Sequence, residues 1–179
     1  MRRIIIGITS LEQHLQTLSE NREVYRPHLC PRCGFGTLWA HGSYGRKADR
    51  GDVGKKNLNP IPIPRYLCAG CERTCSRVPE CIAPRRWYNW IVQAVYLRAV
   101  MRETQAEGEA SASSHPTRRT IQRWWNWLRE SGPVFRLHLS SRFAELGRVG
   151  GECDYWGHVI ETMGLSRAMA FINQQMCVP

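Results

Sequence analysis

Cys30-Pro-Arg-Cys33 and Cys68-Ala-Gly-Cys71 are the stretches on which the reading of the fold turns. In each, the Cys-x-x-Cys spacing lets a tight turn aim two sulfurs at one ion, and two such turns on adjacent hairpins complete a tetrahedral set of four thiolates. The 34 residues between the pairs are rich in Gly, Pro and basic side chains, and outnumber the roughly 15–20 usual between the halves of such a site. The excess reads as a loop at a hairpin tip, because Gly45-Arg-Lys-Ala-Asp-Arg-Gly-Asp-Val-Gly54 carries turn residues and no apolar periodicity. Cys30, Cys33, Cys68 and Cys71 are therefore expected to hold one structural Zn2+, and four thiolates leave no open position for an activated water. Disulfides or reduced core thiols are the alternative. A chain without a secretory signal is expected in a reducing compartment, where paired motifs of this kind more often hold metal. A thioredoxin-type redox role lacks its βαβ context.

A chain of 179 residues has room for one or two small domains. Its net charge of +10 implies an acidic partner, and the pI of about 9.6 agrees. The basic excess is +6 over residues 1–82, +4 over 83–130 and zero over 131–179. Nucleic acid is the expected polyanion, since phosphate contacts from Lys and Arg supply most sequence-independent affinity; a solvated basic surface is the bland alternative. No stretch approaches the roughly 18 consecutive apolar residues of a membrane span. The opening run from Met1 to Ile8 is too short for a signal peptide and lacks a cleavage site. A cytoplasmic protein with no membrane partner is expected.

Residues 1–27 read as a strand over Ile4 to Ile8 and a helix that opens with the capping box Ser10-Leu-Glu-Gln13, closes near Glu20 and carries Leu11, Leu15 and Leu18 as its apolar stripe. Residues 28–82 form the ribbon. Thr37 to His41 is strand-like and Ile61 to Leu67 runs extended into the second cysteine pair, with Pro62 and Pro64 on an edge strand or ahead of the pairing. His28 and His41 could each replace a cysteine ligand, but the plainer reading is exposed polar residues beside a hairpin. Cys75 and Cys81 are alternative ligands, a second incomplete site or, the preferred reading, small buried residues. Cys153 and Cys177 read as core.

Residues 83–130 change to a helical pattern. Pro84 stands at a favoured first helical position, and the run to Met101 has no breaker. Trp87, Ile91, Ala94 and Val95 make its apolar stripe, widened by Trp90 and Leu97. Glu103 to Ala110 predicts a shorter helix, Ser111 to Pro116 a turn, and Thr117 the cap of a helix over Arg118 to Glu130. Two helices joined by a short turn make a helix-turn-helix. In the last helix Ile121, Trp124, Trp125 and Leu128 fall on the inward stripe, leaving Arg118, Arg119, Gln122, Arg123, Asn126 and Arg129 outside. Arg can fork to guanine, Gln and Asn can pair with adenine, and the first turns of a recognition helix lie nearest the base edges. A polar face on an ordinary amphipathic helix is the competing reading. Five of the seven Trp residues lie in these two long helices, which favours core filling over stacking on unpaired bases.

Residues 131–179 predict three helices: one with Phe135, Leu139, Phe143 and Leu146, a second with Tyr155, Trp156, Val159, Ile160 and Met163 closed by Gly164, and a third capped by Ser166 with Met169, Ile172 and Met176. Their neutral charge and apolar content suit a packing or protein-contact module. The expected fold class is α+β and mainly α: a small four-cysteine zinc ribbon, a helix-turn-helix and a C-terminal helical segment.

Cys30-Pro-Arg-Cys-Gly34, His41-Gly-Ser-Tyr44, the run from Arg65 to Thr74 and Pro116-Thr-Arg-Arg-Thr-Ile-Gln-Arg-Trp-Trp125 resemble the N-terminal part of bacterial insertion-sequence transposases and their short companion proteins. The resemblance covers about residues 28–130. It implies a zinc ribbon ahead of a helix-turn-helix that recognises the element's terminal DNA, with Cys30, Cys33, Cys68 and Cys71 as ligands and Arg118 to Arg123 as DNA contacts. Partners would be double-stranded DNA, together with a transposase subunit or a second copy of the chain held through 131–179. Glu72 stands where the second knuckle of that family has Gly, a departure that is tolerable if the turn closes another way, and Glu103, Glu107 and Glu109 put negative charge on the first helix of the motif. Full transposases of this kind carry three acidic residues on an α/β domain that hold two metal ions. Here Glu145, Glu152, Asp154 and Glu161 fall on helical patterns, so the chain is not expected to be an enzyme. Alternatives are a zinc-ribbon protein-interaction adaptor or a transcription regulator unrelated to transposition.

Overall fold

A computed structural model describes residues 3–48, 57–102, 116–176 and 178 of the chain. The elements are β1 (Ile4–Ile5), α1 (Leu11–Glu20), β2 (Leu38–Arg46), β3 (Ile61–Cys68), β4 (Thr74–Cys75), β5 (Val78–Pro79), α2 (Trp90–Arg102), α3 (Arg118–Ser140), α4 (Glu152–Thr162) and α5 (Leu165–Gln175). Short 3₁₀ turns lie at Arg22–Tyr25 and Ala144–Arg148. The class is α+β, with two small sheets and five α-helices among the described residues. The chain divides into two compact units, Met1–Asn89 with Asn173–Pro179, and Trp90–Ile172. Among the described residues no helix is long and apolar enough to cross a membrane.

The first unit is built on the antiparallel sheet β2-β3-β4, with β1 and β5 paired in parallel beside it. Among the described residues Pro62 and Pro64 pair only with β2, opposite Gly45 and Ser43, while β4 joins β3 at Tyr66 and Leu67. Over its first half β3 is thus an edge strand, which is where a residue without an N–H is tolerated. The register slips between Ala40 and Ser43, with Gly42 at φ 71°, and the Arg22 guanidinium holds this bulge by donating to Gly42 O and to Ser43 Oγ. β2 continues through Arg46, so the first two residues of the expected tip loop are strand; residues 49–56 lie outside the described residues.

Under the sheet, Ile5, Ile8, Tyr25, Leu38, Tyr66 and Cys75 form the core of this unit, with Leu18 packed against it. Ser10 caps α1 by accepting from the Gln13 N–H at 3.1 Å, and the Gln13 side chain reaches back to Thr9 N–H. The one fully buried side chain of α1 is not a leucine but His14, whose Nε2–H donates to Pro62 O and whose Nδ1 accepts from Tyr25 OH. The Asn173 side chain, from the end of the chain, accepts from the Arg3 and Ile4 N–H groups at the start of β1.

The helix expected from Pro84 begins only at Trp90. Arg85 lies in the left-handed region at φ 54°, which a helix cannot contain. The turn is fixed from outside by Arg46, whose guanidinium donates to Ala83 O at 2.7 Å and Arg86 O at 2.5 Å. A second correction concerns the buried face of α2. Trp90 and Leu97, which widened the expected stripe, are buried together with Gln93, whereas Ile91 and Val95 of that stripe are 65% and 61% exposed.

In the second unit α2 packs on α3 and α4. α3 runs past the expected end at Glu130 to Ser140, through Pro133. An interior proline costs about 3 kcal/mol, but Leu128, Phe135 and Leu139 stay on one face and are fully buried, each contributing about 1.5–3 kcal/mol. That sum outweighs the lost bond, so the helix continues. Phe143 and Leu146, expected on a separate helix with Phe135, lie beyond α3, Leu146 within the 3₁₀ turn. α4 ends ahead of Gly164 at φ 80° as expected, and Ser166 sits inside the first turn of α5 rather than capping it. Phe135 meets Trp156 edge-on at 6.2 Å, and Arg136 lies over the Tyr155 ring at 4.7 Å. The helix expected from Glu103 to Ala110, with Glu103, Glu107 and Glu109, and the turn after it up to His115 lie outside the described residues.

Candidate metal centre and basic helix face

The two cysteine pairs sit on turns of the same construction. In the first, Cys30 N–H donates to Phe35 O at 2.7 Å and Gly34 N–H donates to Cys30 O at 2.9 Å. In the second, Cys68 N–H donates to Arg73 O and Glu72 N–H to Cys68 O, both at 3.0 Å. Gly34 and Glu72 follow the second cysteine of each pair and both have positive φ. The second turn therefore closes in the same way as the first, with the glutamate itself in the left-handed conformation. Phe35 lies over Gly70: a Cβ at that position would stand 2.9 Å from Phe35 Cγ. The signal for this contact is the glycine of Cys68-Ala-Gly-Cys71, at the place that Arg32 holds in the first pair.

The turns bring the four sulfurs of Cys30, Cys33, Cys68 and Cys71 within 4.8 Å of one another. Cys30 and Cys71 are 3.7 Å apart and Cys33 and Cys68 are 3.5 Å apart, well beyond the roughly 2.05 Å of a disulfide. A tetrahedron with metal–sulfur bonds of about 2.3 Å has edges of about 3.8 Å, so the spacing suits one metal ion. The Cys33 N–H, then the Arg32 N–H, hold the Cys30 thiol down at about 6. At Cys33 the Phe35 N–H pulls the same way, but desolvation and the thiols of Cys68, Cys71 and Cys30 push it up to about 12. One thiolate forms readily and the next is resisted, a set that needs a cation to ionise together.

Among the described residues this is the one group of three or more His, Cys, Asp or Glu side chains placed to hold an ion. His28 and His41 are exposed and outside it. Cys75 and Cys81 are buried, and burial first of all raises their thiols to about 11 and about 12. Cys153 is exposed on α4, a correction to its reading as core, and Cys177 lies outside the described residues.

On α3, Thr117 caps the first turn by accepting from Thr120 N–H at 3.3 Å. Trp124, Trp125 and Leu128 are buried on one side. On the other, Arg118, Arg119, Gln122, Arg123 and Asn126 are all exposed and together line one open concavity of about 480 Å3. Gln122 Nε2 donates to Asn126 Oδ1 at 2.9 Å, which aligns these two amides along the helix. Among the described residues no carboxylate lines the concavity. Arg129 instead faces Glu152 at 3.9 Å, and Glu161 pairs with Arg98 at 2.7 Å and Arg102 at 3.6 Å.

The fold and these sites define a chain with a four-cysteine centre in one unit and a helical second unit with a basic face. It belongs to the family described as Domain of unknown function (DUF6431), which matches residues 30–124, more than half of its length. That stretch opens on Cys30 and includes Arg118, Arg119, Gln122 and Arg123 of the basic face. No curated protein and no solved structure matches the chain.

Proposed function

We propose that this is a zinc-containing DNA-binding protein of a mobile element, associated with transposition, which recognises double-stranded DNA through α3. The observation that carries the reading is the convergence of Arg118, Arg119, Gln122, Arg123 and Asn126 on one open concavity that no carboxylate lines among the described residues. These side chains are the types that fork to guanine and adenine edges, and they occupy the first turns of the helix, where a recognition helix meets bases. α3 would be the second helix of a helix-turn-helix. Zinc is the ion that best suits four thiolates in a closed tetrahedron, and its role is structural. The protein would act in the cytoplasm by binding rather than by catalysis, with a transposase subunit or a second copy of itself, held through residues 131–179, as partner. In support, Glu152 and Glu161 are committed to arginines rather than grouped around an ion site.

A protein-interaction adaptor is the second reading, favoured by the exposed Ile91 and Val95 on α2 and Val134 and Leu137 on α3. Gel-shift titrations of Arg119→Ala and Arg123→Ala against specific and scrambled duplexes at two salt concentrations separate the two. An arginine that reads a base loses about 1–3 kcal/mol of discrimination, whereas one on phosphate weakens all duplexes alike and lowers the salt slope. Binding of every duplex at wild-type strength by both variants replaces DNA recognition with the adaptor.

A further inference from the structure

A second basic site lies in the first unit and includes no residue of α3. Arg3, Arg32, Arg46 and Arg85 line one cavity of about 260 Å3, together with Tyr44 and Thr74, and among the described residues no carboxylate lines it. The four arginines come from the start of β1, the first cysteine turn, the end of β2 and the turn ahead of α2. Three features make the cluster a built one. Arg46 is partly buried, and its guanidinium is held by the carbonyls of Ala83 and Arg86, both neutral groups. Burial accordingly draws its pKa down. Arg32 is fixed by the turn that carries Cys30 and Cys33. Arg85 has a left-handed backbone at φ 54°, a strained conformation of the kind that accumulates at binding sites.

Concentrated guanidinium groups repel one another and create a positive potential that attracts anions, and their planar forks match phosphate oxygens. We infer that the cavity lined by Arg3, Arg32, Arg46 and Arg85 binds a phosphate group, either a phosphodiester of a nucleic-acid backbone or a free phosphate compound. The hydroxyls of Tyr44 and Thr74 supply neutral donors beside the guanidiniums. The site stands independently of the proposed DNA recognition by α3.

The test uses the full, metal-loaded chain in three forms: wild type, Arg32→Gln/Arg85→Gly, and Arg119→Ala/Arg123→Ala. Arg32 and Arg85 are exposed, and glycine suits the left-handed position, so metal content should be unchanged; the single variants serve if the double variant loses its ion. In calorimetric titrations with inorganic pyrophosphate, wild type and the α3 variant should bind alike and Arg32→Gln/Arg85→Gly at least about tenfold more weakly, as expected for removing two of the four charges. In duplex titrations over a salt series, a slope shallower by about 2 in that variant assigns the phosphate to a nucleic-acid backbone. Lost pyrophosphate binding with an unchanged slope assigns it to a free phosphate compound. Equal pyrophosphate behaviour in wild type and variant, with an unchanged slope, overturns the site. If no form binds duplex, recognition by α3 fails, and the pyrophosphate titration alone decides the cavity.

Discussion

Gly34 and Glu72 hold the same left-handed backbone, φ 75° and 53°, at the same place in the two cysteine turns. Each donates its N–H to the carbonyl of the first cysteine of its pair. Glycine takes this conformation freely, whereas a side chain there costs about 1–2 kcal/mol. Glu72→Gly should therefore stabilise the protein by up to about 1 kcal/mol, reduced by the greater freedom of glycine in the unfolded chain. The change reads as a higher denaturant midpoint at unchanged metal content. Glu72→Val, with a branched Cβ at positive φ, should lower the midpoint.

Gly70 carries the contact between the two turns. Its backbone is not left-handed, so alanine would be strained only by space, and the added Cβ would stand 2.9 Å from Cγ and 3.1 Å from Cβ of Phe35. Gly70→Ala should destabilise by about 1–3 kcal/mol, as overpacking does. In a double-mutant cycle, Phe35→Ala should recover much of that loss in the Gly70→Ala background. Strictly additive effects would show that the ring moves aside at no cost.

One ion per chain is expected by metal analysis of protein purified without added metal. Cys30→Ser and Cys68→Ser should each abolish it, because a closed tetrahedral site needs all four of the sulfurs that lie within 4.8 Å of one another. Cys75→Ser and Cys81→Ser should keep it, since both thiols are buried apart from the cluster. A chelator should lower the melting temperature of wild type and leave that of Cys30→Ser unchanged.

His14 links stability to pH. Burial lowers its pKa, opposed by the bond to Pro62 O. The folded protein thus resists protonation that the unfolded chain accepts below about 6.5. Its contribution is fully present above that value and is lost as the pH falls, with a slope of at most about 1.4 kcal/mol per pH unit. The unfolding free energy of wild type should fall between pH 7 and pH 5 more steeply than that of His14→Gln. Parallel curves would remove His14 from the acid response and leave it to the thiolates of the cysteine centre.

The features legible in the sequence are those written into a few neighbouring residues. The two Cys-x-x-Cys pairs predict a ligand set whose sulfurs do converge. Ser10 and Thr117 cap the helices that their side chains announce, because capping needs only a bond across three residues. On α3 the inward Trp124, Trp125 and Leu128 and the outward Arg118, Arg119, Gln122, Arg123 and Asn126 follow from helical periodicity alone. The closure of the second turn was hidden, since nothing beside Glu72 marks it as left-handed; only the pull of both cysteine pairs toward one point puts it there.

What the chain by itself determined is therefore local: the cysteine spacing, the caps, and the amphipathic face of α3, each set by geometry within a turn or two. Tertiary structure decided the choices between locally comparable alternatives. It buried Gln93 beside Trp90 and Leu97 of α2 and left Ile91 and Val95 exposed, carried α3 through Pro133 on the burial of Phe135 and Leu139, and held the start of α2 back to Trp90 by clamping Ala83 and Arg86 with Arg46. It also drew Arg3, Arg32, Arg46 and Arg85 from four separate segments to one cavity. Such outcomes depend on contacts between residues far apart in sequence, whose free energies are settled only when the whole unit packs.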